Sequence, residues 1–227
     1  MLRELLSIFR SDKPLAEMGE NFARMLKLAY EQTVAAGEIY FGMQAKPEAR
    51  TQVYMQDVQV NKLERKIRKQ VISHLSLRGT SPSLPYCLLL MSLVKDVERL
   101  GDYAKNLSEV TELRTDPLPD DEIVAELREI RAGVEAAFAA TAEVFAISDR
   151  ESAVELIRQG RDVAHRCDVL VEKISRSSYD ANTATALVLG TRFYKRIGGH
   201  VLNVLSSVVM PLHKLDYYDE KEIASAP

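Results

Sequence analysis

Two carboxylates, Glu98 and Asp102, are four residues apart in a stretch with helical periodicity, so they lie on one face of a helix. Like charges at this spacing repel each other, and a bound cation would reverse that cost. Hard cations take oxygen ligands, so such a pair suits iron, manganese, magnesium or calcium better than a soft metal. The pair is the first candidate for a metal site in this chain.

A second pair with the same spacing, Asp57 and Asn61, lies one predicted helix earlier. Antiparallel packing of the two helices could bring both pairs together, so that three carboxylates and one amide form one site. The predicted ligands are then Glu98, Asp102, Asp57 and Asn61. The competing interpretation is a set of ordinary ion pairs, because basic side chains are within reach at Lys95, Arg99 and Lys105.

No residue pattern typical of an enzyme accompanies these pairs. A ferritin-like di-iron site needs Glu-x-x-His on each of two helices, and the nearest match here is Asp162-x-x-His165. The motifs of serine hydrolases, P-loop proteins and dinucleotide-binding proteins are missing from the sequence. The net charge of −3 also argues against a nucleic-acid partner. We therefore expect a protein that acts by binding and not by catalysis.

Helical periodicity runs through almost the whole chain and predicts an all-α fold with six long helices. The strongest break is RGTSPSLP, in which Ser81 or Ser83 can cap the third helix. The stretch TDPLPDDE separates two units, and Asp149 is predicted to start the fifth helix. The predicted organisation is a short N-terminal segment (1–14), a first three-helix unit (15–115), a second three-helix unit (119–215) and a tail (216–227).

The compartment is predicted from the cysteines and the apolar stretches. Cys87 and Cys167 lie among apolar residues without CxxC spacing, which is typical of core thiols in a reducing compartment. No stretch reaches the ~18 apolar residues that a membrane span needs. We expect a cytoplasmic protein that is peripheral to a membrane at most.

The chain contains an internal repeat. VERLGDYAKNL (97–107) in the third predicted helix aligns without a gap with YKRIGGHVLNV (194–204) in the sixth, and NKLERKI (61–67) aligns with DVLVEKI (168–174). The two longer stretches share Arg99/Arg196, Leu100/Ile197, Gly101/Gly198 and Asn106/Asn203. The repeat predicts two tandem three-helix bundles related by duplication. Because glycine inside a helix costs ~1 kcal/mol relative to alanine, both repeated glycines indicate close approach of another helix or of a ligand.

The second unit lacks the carboxylates of the first. Lys195 stands at the position of Glu98, Gly199 at that of Asp102 and Ala164 at that of Asp57. Of the four predicted ligand positions, only that of Asn61 has a carboxylate here, Asp168. A lysine among the ligands opposes a cation, so a second metal site is not expected, and a substitute site from Asp162, His165 and His200 is disfavoured. A basic face with Lys195, Arg196 and His200 could instead meet an anionic partner.

The stretch DVERLGDYAKNLSEV, preceded one helix earlier by D-x-x-x-N-x-L-x-x-x-I, closely resembles the PhoU family. That family has motifs of the type LERIGDHAxNIAE, once per three-helix unit. The resemblance extends from about residue 15 to residue 215 and includes the duplication. It implies a fold of two tandem three-helix bundles, and metal binding through E/D-x-x-x-D carboxylates that face outward from the bundle.

The resemblance also implies a function. PhoU-like proteins are cytoplasmic regulators of phosphate uptake and of phosphate-starvation signalling, which contact a phosphate transporter and, in some members, a sensor kinase. We expect the same partners here, together with a homo-oligomer. The alternative is a helical adaptor without metal, which would show apolar patches on its outer helix faces and carboxylates without a metal ligand role.

Overall fold

The structure is a computed structural model that describes residues 12–42, 47–78 and 82–216. Its long helices are α1 (Lys13–Phe41), α2 (Pro47–Arg78), α3 (Leu84–Glu109), α4 (Glu122–Ile147), α5 (Arg150–Ser175) and α6 (Ala181–Val209). Short 3-10 helices follow α3 at Val110–Leu113 and α6 at Leu212–Lys214. No strand occurs within the described ranges, and the predicted all-α fold of six long helices is confirmed. Most of the predicted N-terminal segment and tail lies outside the described residues.

Aspartate caps start all three helices of the second unit. Asp121 accepts a hydrogen bond from the Val124 amide at 3.0 Å, and Asp149 accepts one from the Ser152 amide at 3.1 Å. Asp180 does the same at the start of α6. Each carboxylate satisfies an otherwise unpaired amide at a helix N-terminus, a contribution of about 1 kcal/mol. The predicted start of the fifth helix at Asp149 is therefore confirmed.

The predicted serine cap of α3 is only partly observed. Ser83 directly precedes the helix, but its side chain makes no capping hydrogen bond. Its hydroxyl lies 3.0 Å from His74 Nε2 on α2 instead. Ser81 lies outside the described residues. Ser83 therefore ties the end of α2 to the start of α3.

The two units share one continuous apolar core, to which all six helices contribute. Leucine, isoleucine, valine and aromatic side chains at intervals of three and four residues form the buried face of each helix. Cys87 and Cys167 are fully buried free thiols within this core, as predicted, and burial raises the pKa of Cys167 to about 12. None of the described helices combines the length and apolarity needed to cross a membrane.

The repeated helices α3 and α6 pack directly on each other about an approximate two-fold relation. Asp96 of α3 accepts hydrogen bonds from His200 Nδ1 and Asn203 Nδ2 of α6, both at 2.8 Å. Tyr103 stacks on His200 with ring centroids 5.6 Å apart, and it contacts Phe193 at 6.2 Å. Tyr103 and His200 occupy equivalent repeat positions, as do Asp96 and Phe193. The duplication thus creates the contact that joins the two units.

A tyrosine of α1 fills the space that a glycine leaves on α6. A Cβ atom at Gly190 would lie 2.3 Å from the ring of Tyr40, closer than real Cβ contacts allow. Tyr40 is fully buried, and its hydroxyl donates a hydrogen bond to the Ala186 carbonyl at 3.0 Å. The close approach of the ring to the α6 backbone therefore requires glycine at position 190.

Gly190→Ala should lower the free energy of unfolding by about 2–4 kcal/mol, because the Tyr40 ring must shift and its buried hydrogen bond is strained. Urea denaturation monitored by circular dichroism measures this. Gly199→Ala is the matched control on the same helix, since nothing lies within 4 Å of its Cβ position. It should gain up to ~1 kcal/mol from helix propensity. Equal stabilities of the two variants would contradict this account of the α1–α6 packing.

Candidate functional site

The helices α2 and α3 bring three of the four predicted ligands together. Asp57 of α2 accepts a hydrogen bond from Asn61 Nδ2 at 3.2 Å. Lys105 of α3 extends its ammonium between two carboxylates and lies 3.4 Å from Asp57 Oδ2 and 3.3 Å from Asp102 Oδ1. The expected juxtaposition of Asp57 and Asn61 with Asp102 is therefore observed, with Lys105 as the bridge between the helices.

Glu98 faces the same surface but has other partners. Its carboxylate accepts a hydrogen bond from Lys95 Nζ at 2.7 Å and lies 3.8 Å from Arg99 Nε. Arg99 also donates to Asp102 Oδ2 at 3.2 Å. The guanidinium of Arg99 thus links the carboxylates of Glu98 and Asp102. These are the ion pairs that the competing interpretation of the motif predicts.

Lys105 acts as a built-in counter-ion. Its side chain is 24% exposed and that of Asp57 is 9% exposed, so the bridge is largely screened from solvent. Burial lowers the pKa of Lys105, but the charges of Asp57 and Asp102 and the hydrogen bonds to them outweigh burial and raise it overall. A raised lysine pKa means that the ion pair contributes its full stability at neutral pH and loses it only as the pH rises through the folded-state pKa.

At Gly101, side chains of α1 and α2 come close to the backbone of α3. Gln32 of α1 is fully buried and donates a hydrogen bond from Nε2 to the Gly101 carbonyl at 3.0 Å. A Cβ at position 101 would lie 3.0 Å from Gln32 Oε1 and 3.4 Å from Asp57 Oδ1. Gly101 therefore has the close contact that its place in a helix indicates, whereas a Cβ at Gly198 would meet only Val134, at an ordinary 3.5 Å.

Two buried oxygen atoms at this point have no hydrogen-bond donor. Gln32 Oε1 and Asp57 Oδ1 are both buried and unpaired, and both lie next to the position that a Cβ of residue 101 would occupy. Buried acceptors usually have a partner, so this convergence is an unsatisfied feature of the site. Sequence reasoning missed Gln32, although a glutamine on the apolar face of α1, between Ala29 and Ala36, is a signal that could have found it.

The donor set only partly fits a metal ion. Within the described residues, no three His, Cys, Asp or Glu side chains form a group that could hold a metal. The two unpaired oxygens of Gln32 and Asp57 suit a hard cation, but the ammonium of Lys105 already lies between Asp57 and Asp102. The metal site at Glu98, Asp102, Asp57 and Asn61 stays a prediction, in which a metal must compete with Lys105.

The second unit replaces the carboxylate motif with a lysine–aspartate pair. Lys195 Nζ lies 2.6 and 2.5 Å from the two carboxylate oxygens of Asp168, which joins α6 to α5. Arg192 adds a longer contact to Asp168 at 3.6 Å. Lys195 and Asp168 occupy the repeat positions of Glu98 and Asn61. An internal ion pair thus stands where the first unit has predicted metal ligands.

The remaining motif residues have different surroundings in the two units. Asn203 donates to the buried Asp96, whereas its equivalent Asn106 is half-buried on α3. Arg99 pairs with two carboxylates, whereas the equivalent Arg196 is exposed and makes no ion pair or hydrogen bond within the described part of the chain. Sequence reasoning missed Asp96, because its partners belong to the other unit.

These features define a class: an all-α protein of two duplicated three-helix units, with charged motifs on outer helix faces and an apolar core between the units. The model of the PhoU domain family matches residues 15–111, which make up most of the first of these units. The resemblance to the PhoU family seen in the sequence is thereby confirmed.

Solved structures show that the fold likeness extends over nearly the whole chain. PhoU from Pseudomonas aeruginosa superposes with a TM-score of 0.79 at 20% identity, covering 88% of this chain and 97% of that one. The phosphate transport system regulatory protein PhoU from Streptococcus pneumoniae gives a TM-score of 0.73 at 15% identity, with coverages of 90% and 95%. At these identities the likeness establishes the fold. No curated protein matches the sequence significantly.

Lys105→Met should lower the free energy of unfolding by about 1–2 kcal/mol, because the largely buried Asp57 loses its counter-ion while the aliphatic stem is kept. Urea denaturation at neutral pH and low salt measures this. Lys62→Met, on the exposed face of α2, is the control and should change stability by less than ~0.5 kcal/mol. A Lys105→Met protein as stable as the parent would show that the bridge contributes nothing.

Proposed function

We propose that this chain regulates phosphate transport by binding other proteins. The observation that carries the proposal is the PhoU domain at residues 15–111, within a chain whose whole fold resembles PhoU proteins. One of these is a phosphate transport system regulatory protein. The motif faces hold ion pairs, and no catalytic constellation is apparent in the sequence, which supports action by binding and not by catalysis.

The proposed partner is a phosphate transporter, which the bundle would contact from the cytoplasmic side and restrain. A sensor kinase is a second proposed partner, and a homo-oligomer is the proposed state of the protein. A small exposed apolar strip on α2 supports protein contacts, because Met55 and Val58, one turn apart, are 57% and 49% exposed. Large apolar side chains in such positions favour contact with another protein over permanent exposure to water.

Deleting the gene should increase phosphate uptake and the polyphosphate content of the cells, because the transporter loses its restraint. Uptake of radiolabelled phosphate in phosphate-replete cells measures this, and complementation with the intact gene should restore the parental rate. If the α2 strip contacts the transporter, complementation with Met55→Ser/Val58→Ser should not restore the parental rate. Complementation with Leu88→Ser, on the exposed face of α3, is the control and should restore it. Unchanged uptake and unchanged polyphosphate in the deletion strain would contradict the proposal.

The proposed metal site would hold a hard cation on the outer face of α2 and α3. Glu98, Asp102 and Asp57 would supply carboxylate oxygens, and Asn61 an amide oxygen. The unpaired oxygens of Asp57 and Gln32 support this proposal, and the ammonium of Lys105 opposes it. A bound cation would contribute positive charge between α2 and α3, as Lys105 does alone. Iron, manganese, magnesium and calcium are the candidates.

Protein purified without an affinity tag should contain about one equivalent of a hard cation, measured by elemental mass spectrometry. Glu98→Ala/Asp102→Ala should lose this metal. Lys105→Ala should bind Mn²⁺ more tightly than the parent, because the competing ammonium is removed. No metal in the parent or in Lys105→Ala after soaking with Mn²⁺ or Fe²⁺ would refute the metal site. A helical adaptor without metal is the second candidate function, which the observed ion pairs at Lys105 and Arg99 support. A negative metal result is compatible with both this adaptor and a regulator that binds no metal.

A further inference from the structure

The outer face of the second unit contains a groove between α5 and α6 with a volume of about 650 Å³. Its lining is rich in basic and imidazole side chains: Arg161, His165, Arg192, Lys195, Arg196 and His200. The acidic side chain in the lining is Asp168. Four permanent cations therefore face one carboxylate, in a protein whose net charge is −3. Nothing in the proposed transporter contact accounts for this local reversal of charge.

Two small residues of the groove stand at repeat positions where the first unit has carboxylates. Gly199 and Ala164, both in the lining, occupy the positions of Asp102 and Asp57 in the first unit. A Cβ at position 199 would meet no atom within 4 Å, so the helix surface is open at that point. The two replacements remove negative charge and create space at the same place.

Arg196 has also lost the partners that its equivalent keeps. In the first unit, Arg99 lies 3.8 Å from Glu98 and 3.2 Å from Asp102. In the second unit these two positions are Lys195 and Gly199, so no carboxylate stands beside Arg196 on its own helix. Its guanidinium is exposed at the groove and makes no ion pair or hydrogen bond among the described residues. A guanidinium in this position is available to an anion from solution.

We propose that this groove binds a free polyvalent phosphate anion, of the size of pyrophosphate or a short inorganic polyphosphate. Guanidinium groups match phosphate oxygens geometrically, and a cluster of cations favours several linked phosphates over one. The volume lies in the range of ligand sites, roughly 300–1,000 Å³. Beyond the imidazoles, the lining offers no aromatic ring to stack on a nucleobase, and Leu202 is buried, so no exposed apolar side chain is available to enter a lipid bilayer.

The bound anion competes with Asp168 for two of the cations. Lys195 holds both oxygens of Asp168, and Arg192 lies 3.6 Å from it. Phosphate oxygens in the groove would share or replace these contacts, as a stronger acceptor with more negative charge. The α5–α6 ion pair and the anion therefore use the same donors, which links occupancy of the groove to the contact between these two helices.

Isothermal titration of the purified full-length protein with sodium tripolyphosphate at low salt tests the proposal. Gly199→Asp restores the carboxylate of the first unit and should weaken binding about tenfold or more. Gly199→Asn places a neutral side chain of the same shape in the same open space. Its affinity for tripolyphosphate should stay within about threefold of that of the parent. Circular dichroism of both variants checks that they fold. No binding by the parent, or equal binding by the Gly199→Asp variant, would overturn the proposal.

A second pair of variants separates the groove from general charge. Arg192→Ala/Arg196→Ala should weaken tripolyphosphate binding about tenfold or more, whereas Lys62→Ala/Arg65→Ala removes the same charge from the exposed face of α2 and should leave it within about twofold. Equal weakening by both pairs would overturn the proposal. The proposal would also be overturned if the protein does not bind free tripolyphosphate but cosediments with phosphatidic acid vesicles, and if Arg192→Ala/Arg196→Ala abolishes this cosedimentation. These measurements use purified protein without a transporter, so their failure leaves the transport proposal untouched.

Discussion

The packing of α3 on α6 is the contact on which the rest of the molecule depends. Each three-helix unit has an apolar face that it cannot bury by itself, and the motif helices of the two units cover each other's. Inside this contact, the carboxylate of Asp96 receives hydrogen bonds from His200 and Asn203. A buried carboxylate without these donors would be strongly unfavourable, so the polar bridge fixes how the two helices align. Apart from Asp96, the charged motif residues Glu98, Asp102 and Lys195 lie outside this contact and pair with other side chains.

The outer faces of the two units neutralise an acidic residue in different ways. In both units, a lysine of the motif helix neutralises an acidic residue of the preceding helix: Lys105 contacts Asp57, and Lys195 contacts Asp168. The two lysines are not equivalent in the repeat, since Lys195 aligns with Glu98 and Lys105 aligns with Leu202. In the first unit, Lys95, Arg99 and Lys105 balance the carboxylates of Glu98, Asp102 and Asp57. The second unit keeps an excess of cations around Asp168. Exchange of a few side chains between the duplicated units thus gave their outer faces different charge.

Glycine positions show how the duplicated units diverged at the level of packing. Gly101 admits the buried Gln32 and Asp57 to the backbone of α3, so it is part of the site itself. Its equivalent Gly198 has only an ordinary contact with Val134, and the neighbouring Gly199 faces open space. A repeated glycine therefore does not imply a repeated contact. Close approaches in the second unit occur instead at Gly190, where the ring of Tyr40 reaches the backbone of α6, and at Gly160, which Leu202 contacts.

The sequence by itself determined the helices and their order, and it indicated that antiparallel packing could bring Asp57 and Asn61 close to Asp102. Helical periodicity, the proline-rich breaks and the aspartate caps are local signals, and antiparallel packing of consecutive helices follows from a short connection. The tertiary structure decided which cation lies among the carboxylates and which residues join the units. Lys105 competes with any metal because of its position across α2 and α3, and Asp96 meets His200 about a hundred residues away. Such contacts depend on how helices face each other in space, which no local pattern along the chain encodes.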